Sequence, residues 1–135
     1  MNPEPRVGVA IIITKENQVL LMKRKGIHGQ GTWSTPGGHL DFGETPEQCA
    51  AREAKEEVGL DVVDIRFQAV TNDMFEETGK HYLTLWMEGR TTSNDPLIAA
   101  EDEVAEIGWF AWDSLPDPLF LSLENLIKAN SYPPK

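Results

Sequence analysis

The apolar residues of this chain fall mainly into short, strand-like runs. The β-branched run at residues 7–13 predicts a buried strand, and residues 18–23 predict a second strand that returns after a polar turn. The glycine-rich segment 26–31 predicts a mobile loop. Residues 33–40 predict a short strand that breaks at the Pro-Gly-Gly turn of residues 36–38.

The segment after this turn carries the start and stop signals of one helix. Thr45 can cap the helix, Pro46 suits its first position, and Gln48 is the partner of Thr45 in a capping box. Gly59 suits the left-handed residue that ends a helix, so the predicted helix spans residues 46–58. Small apolar residues recur every four positions and predict a narrow face lying close to a sheet: Ala50, Ala54 and Val58.

The second half of the chain returns to strand patterns. Residues 64–70 and 81–89 predict two strands joined by a polar hairpin connection at 76–80. The aromatic run at 107–112 predicts another strand, and the acidic segment 94–106 before it predicts a loop. The last apolar positions have helical spacing and predict a terminal amphipathic helix: Leu119, Leu123, Leu126 and Ile127.

This order of elements predicts a mixed sheet covered by helices, which is the α/β (α+β) class. The chain has 135 residues, of which 40% are hydrophobic and 25% are charged. Both the length and the composition are those of one globular domain, so we expect a single domain over residues 1–135. No internal repeat or linker interrupts the pattern.

Cysteine content and apolar runs indicate the compartment. Cys49 is the one cysteine, so an internal disulfide is excluded, and the first residues lack the basic and apolar regions of a signal peptide. The longest apolar run, residues 9–13, is far shorter than the ~20 residues of a membrane span. We therefore predict a cytoplasmic protein without a membrane partner.

The formal net charge of −10 constrains the binding partners. Binding of long nucleic acid relies on a basic surface, so no such partner is predicted. A small phosphate substrate is compatible with the charge if divalent cations lie between the phosphates and the carboxylates. The alternative is that most surface carboxylates serve only solubility.

Seven residues stand at fixed intervals in the middle of the chain: Gly38, Glu44, Arg52, Glu53, Glu56, Glu57 and Gly59. Aliphatic residues follow at positions 54 and 60, although Ala54 is smaller than usual there. This spacing resembles the Nudix box, G-x5-E-x7-R-E-U-x-E-E-x-G-U, in which U is aliphatic. The resemblance extends over nearly the whole chain and implies the α/β/α sandwich of the Nudix hydrolases, with a mixed sheet.

The three glutamates of this pattern share one helix face. Glu53, Glu56 and Glu57 stand at positions i, i+3 and i+4, where like charges repel by ~0.2–0.5 kcal/mol per pair in an isolated helix. A divalent cation would remove this cost, and an all-carboxylate set suits Mg²⁺, or Mn²⁺, rather than zinc. A solvated acidic face is the alternative for the triplet considered alone.

The resemblance also implies roles for individual residues. Glu53 and Glu57 are the expected principal metal ligands, Glu56 is a further ligand or a water-activating base, and the Gly37 carbonyl joins the metal shell. Arg52 is expected to pair with Glu44 and to hold the helix against the preceding loop. A second base often comes from a late loop in this family, for which Glu103 is the first candidate. Asp102 and Glu106 are its rivals, and an unrelated acidic loop is the alternative.

Two runs, residues 23–26 and 36–44, are similar to the MutT-like nucleoside triphosphate diphosphatases. That resemblance implies Mg²⁺-dependent hydrolysis of a nucleoside triphosphate, including oxidised dGTP, or of a related nucleoside diphosphate derivative, to monophosphate and pyrophosphate. Other diphosphates such as ADP-ribose or prenyl diphosphate are alternatives, although the proline typical of ADP-ribose hydrolases is missing. A catalytically silent nucleotide-sensing or interaction module is a further alternative, and the resemblance allows a homodimer.

Substrate-binding residues are expected outside the box. Aromatic side chains could stack on a base, and the main candidates are Tyr82 and Trp109, with Trp33 and Phe75 as others. Asn72 and Thr35 could hydrogen-bond its edge, Arg24 could contact a phosphate, and the Gly37–Gly38 backbone could approach the substrate closely. Each has a plain alternative, because most aromatic residues of a small domain are core and Arg24 could be a strand-end surface cation.

Overall fold

A computed structural model describes residues 4–92, 95–129 and 132 of the chain. The strands, in chain order, are β1 Arg6–Lys15, β2 Gln18–Arg24, β3 Trp33–Ser34, β4 Gly37–His39, β5 Val62–Phe75, β6 Lys80–Thr91 and β7 Val104–Ala111. The helices are α1 Pro46–Val58 and α2 Leu121–Ala129. Neither of these helices is long and apolar enough to cross a membrane.

The strands form one mixed sheet with the path β3-β2-β1-β6-β5. β1 runs parallel to β6 and antiparallel to β2, and β4 and β7 pair with β1 and β2 respectively. Successive side chains of a strand point to opposite faces, so Ile11 and Ile12 of β1 enter different layers. Ile11 packs with α1 in one core cluster, whereas Ile12 packs with α2 in another. The α/β prediction is therefore confirmed.

Helix α1 begins and ends where its signals predict. Thr45 Oγ1 accepts a hydrogen bond from the Gln48 backbone N–H at 3.1 Å, and the Gln48 side chain accepts one from the Thr45 N–H at 2.9 Å. Gly59 has φ of 69°, the left-handed conformation that glycine adopts without strain. The predicted stripe of small residues, Ala50, Ala54 and Val58, is fully buried against the sheet.

The bounds of β5, β6, β7 and α2 differ from the sequence-based predictions. β5 and β6 extend beyond the predicted 64–70 and 81–89, because polar residues such as Asp73 continue the strand pairing where apolar alternation stops. β7 begins at Val104, so only residues 95–103 of the predicted acidic loop lack helix or strand, and position 94 lies outside the described residues. The terminal helix begins at Leu121, after the apolar Leu119 that we included in its pattern.

Candidate active site

The C-terminal half of α1 lies against β4. The carboxylate of Glu57 is 5% exposed and accepts a hydrogen bond from the Gly37 backbone N–H at 2.8 Å. The carboxyl group of Glu53 lies where a side chain on Gly38 would be. A Cβ on Gly37 would come within 2.5 Å of the Val9 carbonyl oxygen. Gly37 therefore lets β4 lie close to the backbone of β1, and Gly38 leaves room for the Glu53 carboxyl group of α1.

Arg52 connects α1 to the preceding loop. Its Nε and Nη2 atoms donate to the two carboxylate oxygens of Glu44 at 3.2 and 2.7 Å, which is a bidentate pair. The Glu44 carboxylate also accepts from the Asp41 N–H at 2.9 Å, and Arg52 Nη2 donates to the His39 carbonyl at 3.2 Å. The structure thus brings together the two residues for which the sequence implied this orienting pair.

Arg52 also contacts the acidic face of α1. Its Nη1 atom donates to Glu53 Oε1 at 2.8 Å and to Glu56 Oε2 at 3.3 Å. Among the described residues, Arg52 is in this way the cation around which the carboxylates gather, and no group of three His, Cys, Asp or Glu side chains is arranged there as a metal cage.

Burial and neighbouring charges shift the pKa values of these carboxyl groups in opposite directions. The Arg52 guanidinium lowers the pKa of Glu44 to about 2 and is itself held protonated by Glu44. Burial raises the pKa of Glu53 to about 7, against the opposing effect of Arg52. Burial likewise raises the pKa of Glu57 to about 8, and the Gly37 hydrogen bond opposes the shift. Glu53 and Glu57 are therefore costly to ionise without an added cation.

The chemistry of this donor set fits a hard divalent cation. Carboxylate oxygens of Glu53, Glu56 and Glu57 and the nearby Gly37 carbonyl are oxygen ligands of the kind that Mg²⁺ and Mn²⁺ prefer. Cys49, the one thiol, is buried and donates to the His39 carbonyl, and burial raises its pKa to about 12. The thiol therefore does not ionise at neutral pH and is unsuited to zinc binding there.

The candidates for an additional base, Glu103, Asp102 and Glu106, differ in their surroundings. The Glu103 carboxylate is near enough to raise the pKa of both Glu53 and Glu57. Its backbone is held by the Lys25 N–H, which donates to the Glu103 carbonyl at 2.9 Å. Glu106 instead forms a solvent-exposed ion pair with Lys23, with 3.4 Å between Oε2 and Nζ. Of the three candidates, Glu103 is therefore the one that shares the electrostatic environment of the α1 carboxylates.

A cavity of about 140 Å³ lies on the other side of the Gly37–Gly38 strand. Several rings line it, and we call four of them the aromatic cluster: His28, Phe75, Tyr82 and Phe120. Ring centroids are 4.4 Å apart for His28 and Phe75 and 5.1 Å apart for Phe75 and Phe120. Burial lowers the pKa of His28 to about 4, so its imidazole is neutral at pH 7. The cluster offers a flat, neutral ligand a surface for stacking.

Arg24 lies between the aromatic cluster and the carboxylates. Its guanidinium stacks 4.2 Å from the Phe120 ring centroid, and its Nε atom donates to the His28 carbonyl at 3.0 Å. Burial lowers the pKa of Arg24, and the charges of Glu57 and Glu103 partly oppose the shift. The Arg24 side chain thus holds the predicted loop 26–31 against the end of β2, and it also lines the cavity.

Most of the predicted substrate residues meet at this cavity. Its lining includes Arg24, Thr35, Gly37, Gly38 and Tyr82.

Two predicted substrate residues, Asn72 and Trp109, lie outside this cavity lining. Asn72 is exposed and its side chain contacts His81, while Trp109 packs on the α1 side of the sheet with Lys15 5.8 Å from its ring centroid. Trp33 packs edge-to-face on Phe110 in the core on the α2 side. Their places around the cavity are taken by His28 and Phe120, which the sequence did not single out because they lie in loops without a periodic pattern.

Comparisons with known proteins agree with this geometry. Residues 4–129 match the NUDIX domain family. The chain is 32% identical over 114 residues to the NAD-capped RNA hydrolase NudC of Pseudomonas aeruginosa, covering 84% of this chain and 39% of that protein. It is 48% identical over 56 residues to the ADP-ribose pyrophosphatase of Methanocaldococcus jannaschii, covering 42% and 33%. The chain therefore spans well under half the length of these curated relatives.

A solved structure extends the comparison to the whole fold. The MutT NUDIX hydrolase from Burkholderia pseudomallei superposes with a TM-score of 0.81 at 33% sequence identity. The superposition covers 86% of this chain and 90% of that protein.

Proposed function

This chain belongs to the Nudix family, and we propose that it is a Mg²⁺-dependent hydrolase of a diphosphate bond in a nucleotide. The observation that carries the proposal is the position of the buried Glu57 and the partly buried Glu53 carboxyl groups, which lie across two glycines from a cavity with aromatic walls. A nucleotide that spans the glycines would place its phosphates beside the carboxylates and its base among the rings.

The roles of the chain's own residues follow from their positions. Glu53, Glu56 and Glu57, with the Gly37 carbonyl, would hold Mg²⁺, and Mn²⁺ would serve in its place. When bound, the cation would screen the phosphate charges and lower the pKa of a water molecule. Glu103 accepts a proton from the attacking water, and Arg24 contacts a phosphate between the cavity and Glu57. Arg52 and Glu44 orient α1 without touching the substrate.

We assign the substrate to the nucleoside triphosphates, including oxidised dGTP, with monophosphate and pyrophosphate as products. The similarity to the MutT hydrolase of Burkholderia pseudomallei supports this class, and so does a cavity with room for about one base. A second candidate, ADP-ribose, is favoured by the 48% identity over 56 residues to an ADP-ribose pyrophosphatase. Both substrates would be cleaved at a diphosphate by the same carboxylates.

A substrate panel with separated products tests the proposal. Canonical and oxidised nucleoside triphosphates, ADP-ribose and prenyl diphosphates would each be incubated with Mg²⁺ and, in parallel, with EDTA. The proposal expects monophosphate and pyrophosphate from triphosphates in the Mg²⁺ arm and no product in the EDTA arm. Release of single phosphates would contradict the assigned bond. Tight nucleotide binding without any product would instead favour the silent sensing module.

A further inference from the structure

A buried hydrogen-bond network lies behind the cavity, on the α2 side of the sheet. Asp73 of β5 is 0% exposed, and its Oδ2 atom accepts from the hydroxyls of Thr71 at 3.0 Å and Thr84 at 2.6 Å. Its Oδ1 atom accepts from Asn125 Nδ2 at 2.8 Å. Trp86 Nε1 donates to Thr71 Oγ1 at 2.9 Å, which directs the Thr71 proton toward Asp73. The hydroxyl protons of this network therefore point at one carboxylate.

Thr84 is the member of this network whose hydroxyl borders the cavity. Both Thr84 and Trp86 line it, whereas Thr71 and Asp73 lie behind it. The Thr84 oxygen faces space left by the missing side chain of Gly8. A Cβ built on Gly8 would lie 3.9 Å from Thr84 Oγ1 and 3.7 Å from Tyr82 Cδ1, both ordinary contact distances.

The network fixes the hydrogen-bonding polarity of Thr84. A hydroxyl has one hydrogen to donate and two lone pairs that accept. Because the Thr84 hydrogen is used on Asp73, only a lone pair is left for a ligand. Both oxygens of the Asp73 carboxyl group already accept hydrogen bonds, Oδ2 from Thr71 and Thr84 and Oδ1 from Asn125, so the Thr84 hydrogen stays directed at Asp73. Thr84 can thus bind a ligand group that donates a hydrogen bond, and it leaves any other group unpaired.

We propose that Thr84 selects substrates whose base carries an exocyclic amino group, and that Asp73 is the positioning residue that sets this preference. The inference rests on the proposed function, since it assigns the substrate class of the same site. Exocyclic amino groups project beyond the ring and so reach the end of a small cavity first. Adenine, guanine and cytosine carry one. Hypoxanthine, unsubstituted purine and prenyl chains carry none, so the Thr84 oxygen would lose the hydrogen bond that an amino group donates.

Matched substrate pairs test the selection directly. The kcat/KM ratios of GTP to ITP and of ATP to purine riboside triphosphate would be measured for the wild type and for Thr84→Val, which keeps the side-chain shape. In at least one pair we expect the wild type to prefer the amino-bearing substrate by about tenfold. Thr84→Val should bring that ratio to about one, and Thr84→Ser should retain it because the hydroxyl remains.

Two further variants separate selection from stability. Thr71→Val removes the same group from the same network but does not touch the cavity, so it should lower the Tm and keep the substrate ratio. Gly8→Ala adds a methyl group toward Thr84 Oγ1 and should lower kcat/KM for both substrates of a pair. A wild type without preference, or a preference that survives in Thr84→Val, would overturn the selection.

Binding measurements keep this test separate from the proposed activity. If the wild type hydrolyses no nucleotide, calorimetric titration with GMP against IMP, and AMP against purine riboside monophosphate, makes the same comparison through Kd. A preference that is lost in Thr84→Val would support the selection although the enzyme proposal has failed. Hydrolysis with the same substrate ratios in the wild type and in Thr84→Val would refute the selection and leave the hydrolase proposal standing. Binding of none of these nucleotides would overturn the selection.

Discussion

The two sides of the Gly37–Gly38 strand have opposite physical character. On one side, the partly buried Glu53 and the buried Glu57 have pKa values raised to about 7 and about 8, and Glu53 pairs with Arg52. On the other side, neutral rings surround a cavity whose nearest cation, Arg24, is stacked on Phe120. A bound cation would stabilise the ionised carboxylates on the first side, and a flat neutral group would stack on the rings of the second. If the proposed function holds, this contrast predicts that bond cleavage and substrate choice can be changed separately.

The largest effect is expected on the carboxylate side. Glu57→Gln keeps the size of the side chain but removes the charge proposed to hold the cation, so kcat should fall on the order of 10²–10³-fold. Steady-state hydrolysis of the best nucleotide in the panel measures it. Glu47→Gln is the matched control, because Glu47 is exposed at the start of the same helix. Turnover by Glu57→Gln within about threefold of the wild type would remove Glu57 from the proposed cation site.

Substitution of Gly37, which lies between the two sides, should have the next largest effect. In Gly37→Ala the new Cβ would press on the Val9 carbonyl of β1, and backbone cannot yield easily, so we expect a loss of about 3 kcal/mol in the free energy of unfolding. In Gly38→Ala the Cβ meets the movable carboxyl group of Glu53, so stability should change by less than about 1 kcal/mol. Urea unfolding compares the two, and equal losses would contradict the distinction between backbone and side-chain contact.

Stability without metal should fall as pH rises. The folded protein holds a proton on Glu57 up to about pH 8, whereas the unfolded chain releases it near the ordinary value of 4.5. Because the unfolded state binds fewer protons in this window, the wild type should lose about 3 kcal/mol between pH 5 and pH 8 through Glu57, and Glu53 should add to this loss. Urea unfolding in EDTA measures this loss. The loss should shrink in Glu57→Gln, and a flat profile in the wild type would contradict the buried-carboxyl account.

A smaller effect is expected on the aromatic side. Phe75→Ala removes a stacking ring, so the KM for a nucleoside triphosphate should rise about tenfold with kcat within about twofold. Phe67→Ala is the matched control, because Phe67 is on the same strand, is 57% exposed and lies outside the cavity. A fall in kcat with unchanged KM would show that the two sides are not separable in this way.

The two sides also differ in how far the sequence predicts them. α1 and its acidic face are local: Thr45, Gly59 and the spacing of Glu53, Glu56 and Glu57 fix the helix and the direction of the side chains within 23 residues. The α/β class followed from the order of strand and helix patterns. The burial that raises the pKa of Glu57 was not predictable, because it depends on β4 lying against the helix.

The cavity is assembled from residues far apart in the chain. His28 comes from the loop after β2, Phe75 from the end of β5 and Phe120 from the segment before α2. No spacing links them. The sequence suggested Phe75 and Tyr82, which line the cavity, but also Trp109, whose side chain strand alternation directs to the α1 side of the sheet. Homodimer formation and the single domain over residues 1–135 stay predictions.

The central claim is that the α1 carboxylates hold the cation while the aromatic cluster does not contribute to holding it. Titration with Mn²⁺, followed by electron paramagnetic resonance without nucleotide, tests this claim for three proteins at pH 8. The account predicts nearly equal affinity for the wild type and Phe75→Ala, and at least about tenfold weaker binding for Glu57→Gln. Equal affinity in Glu57→Gln, or loss of binding in Phe75→Ala, would contradict it.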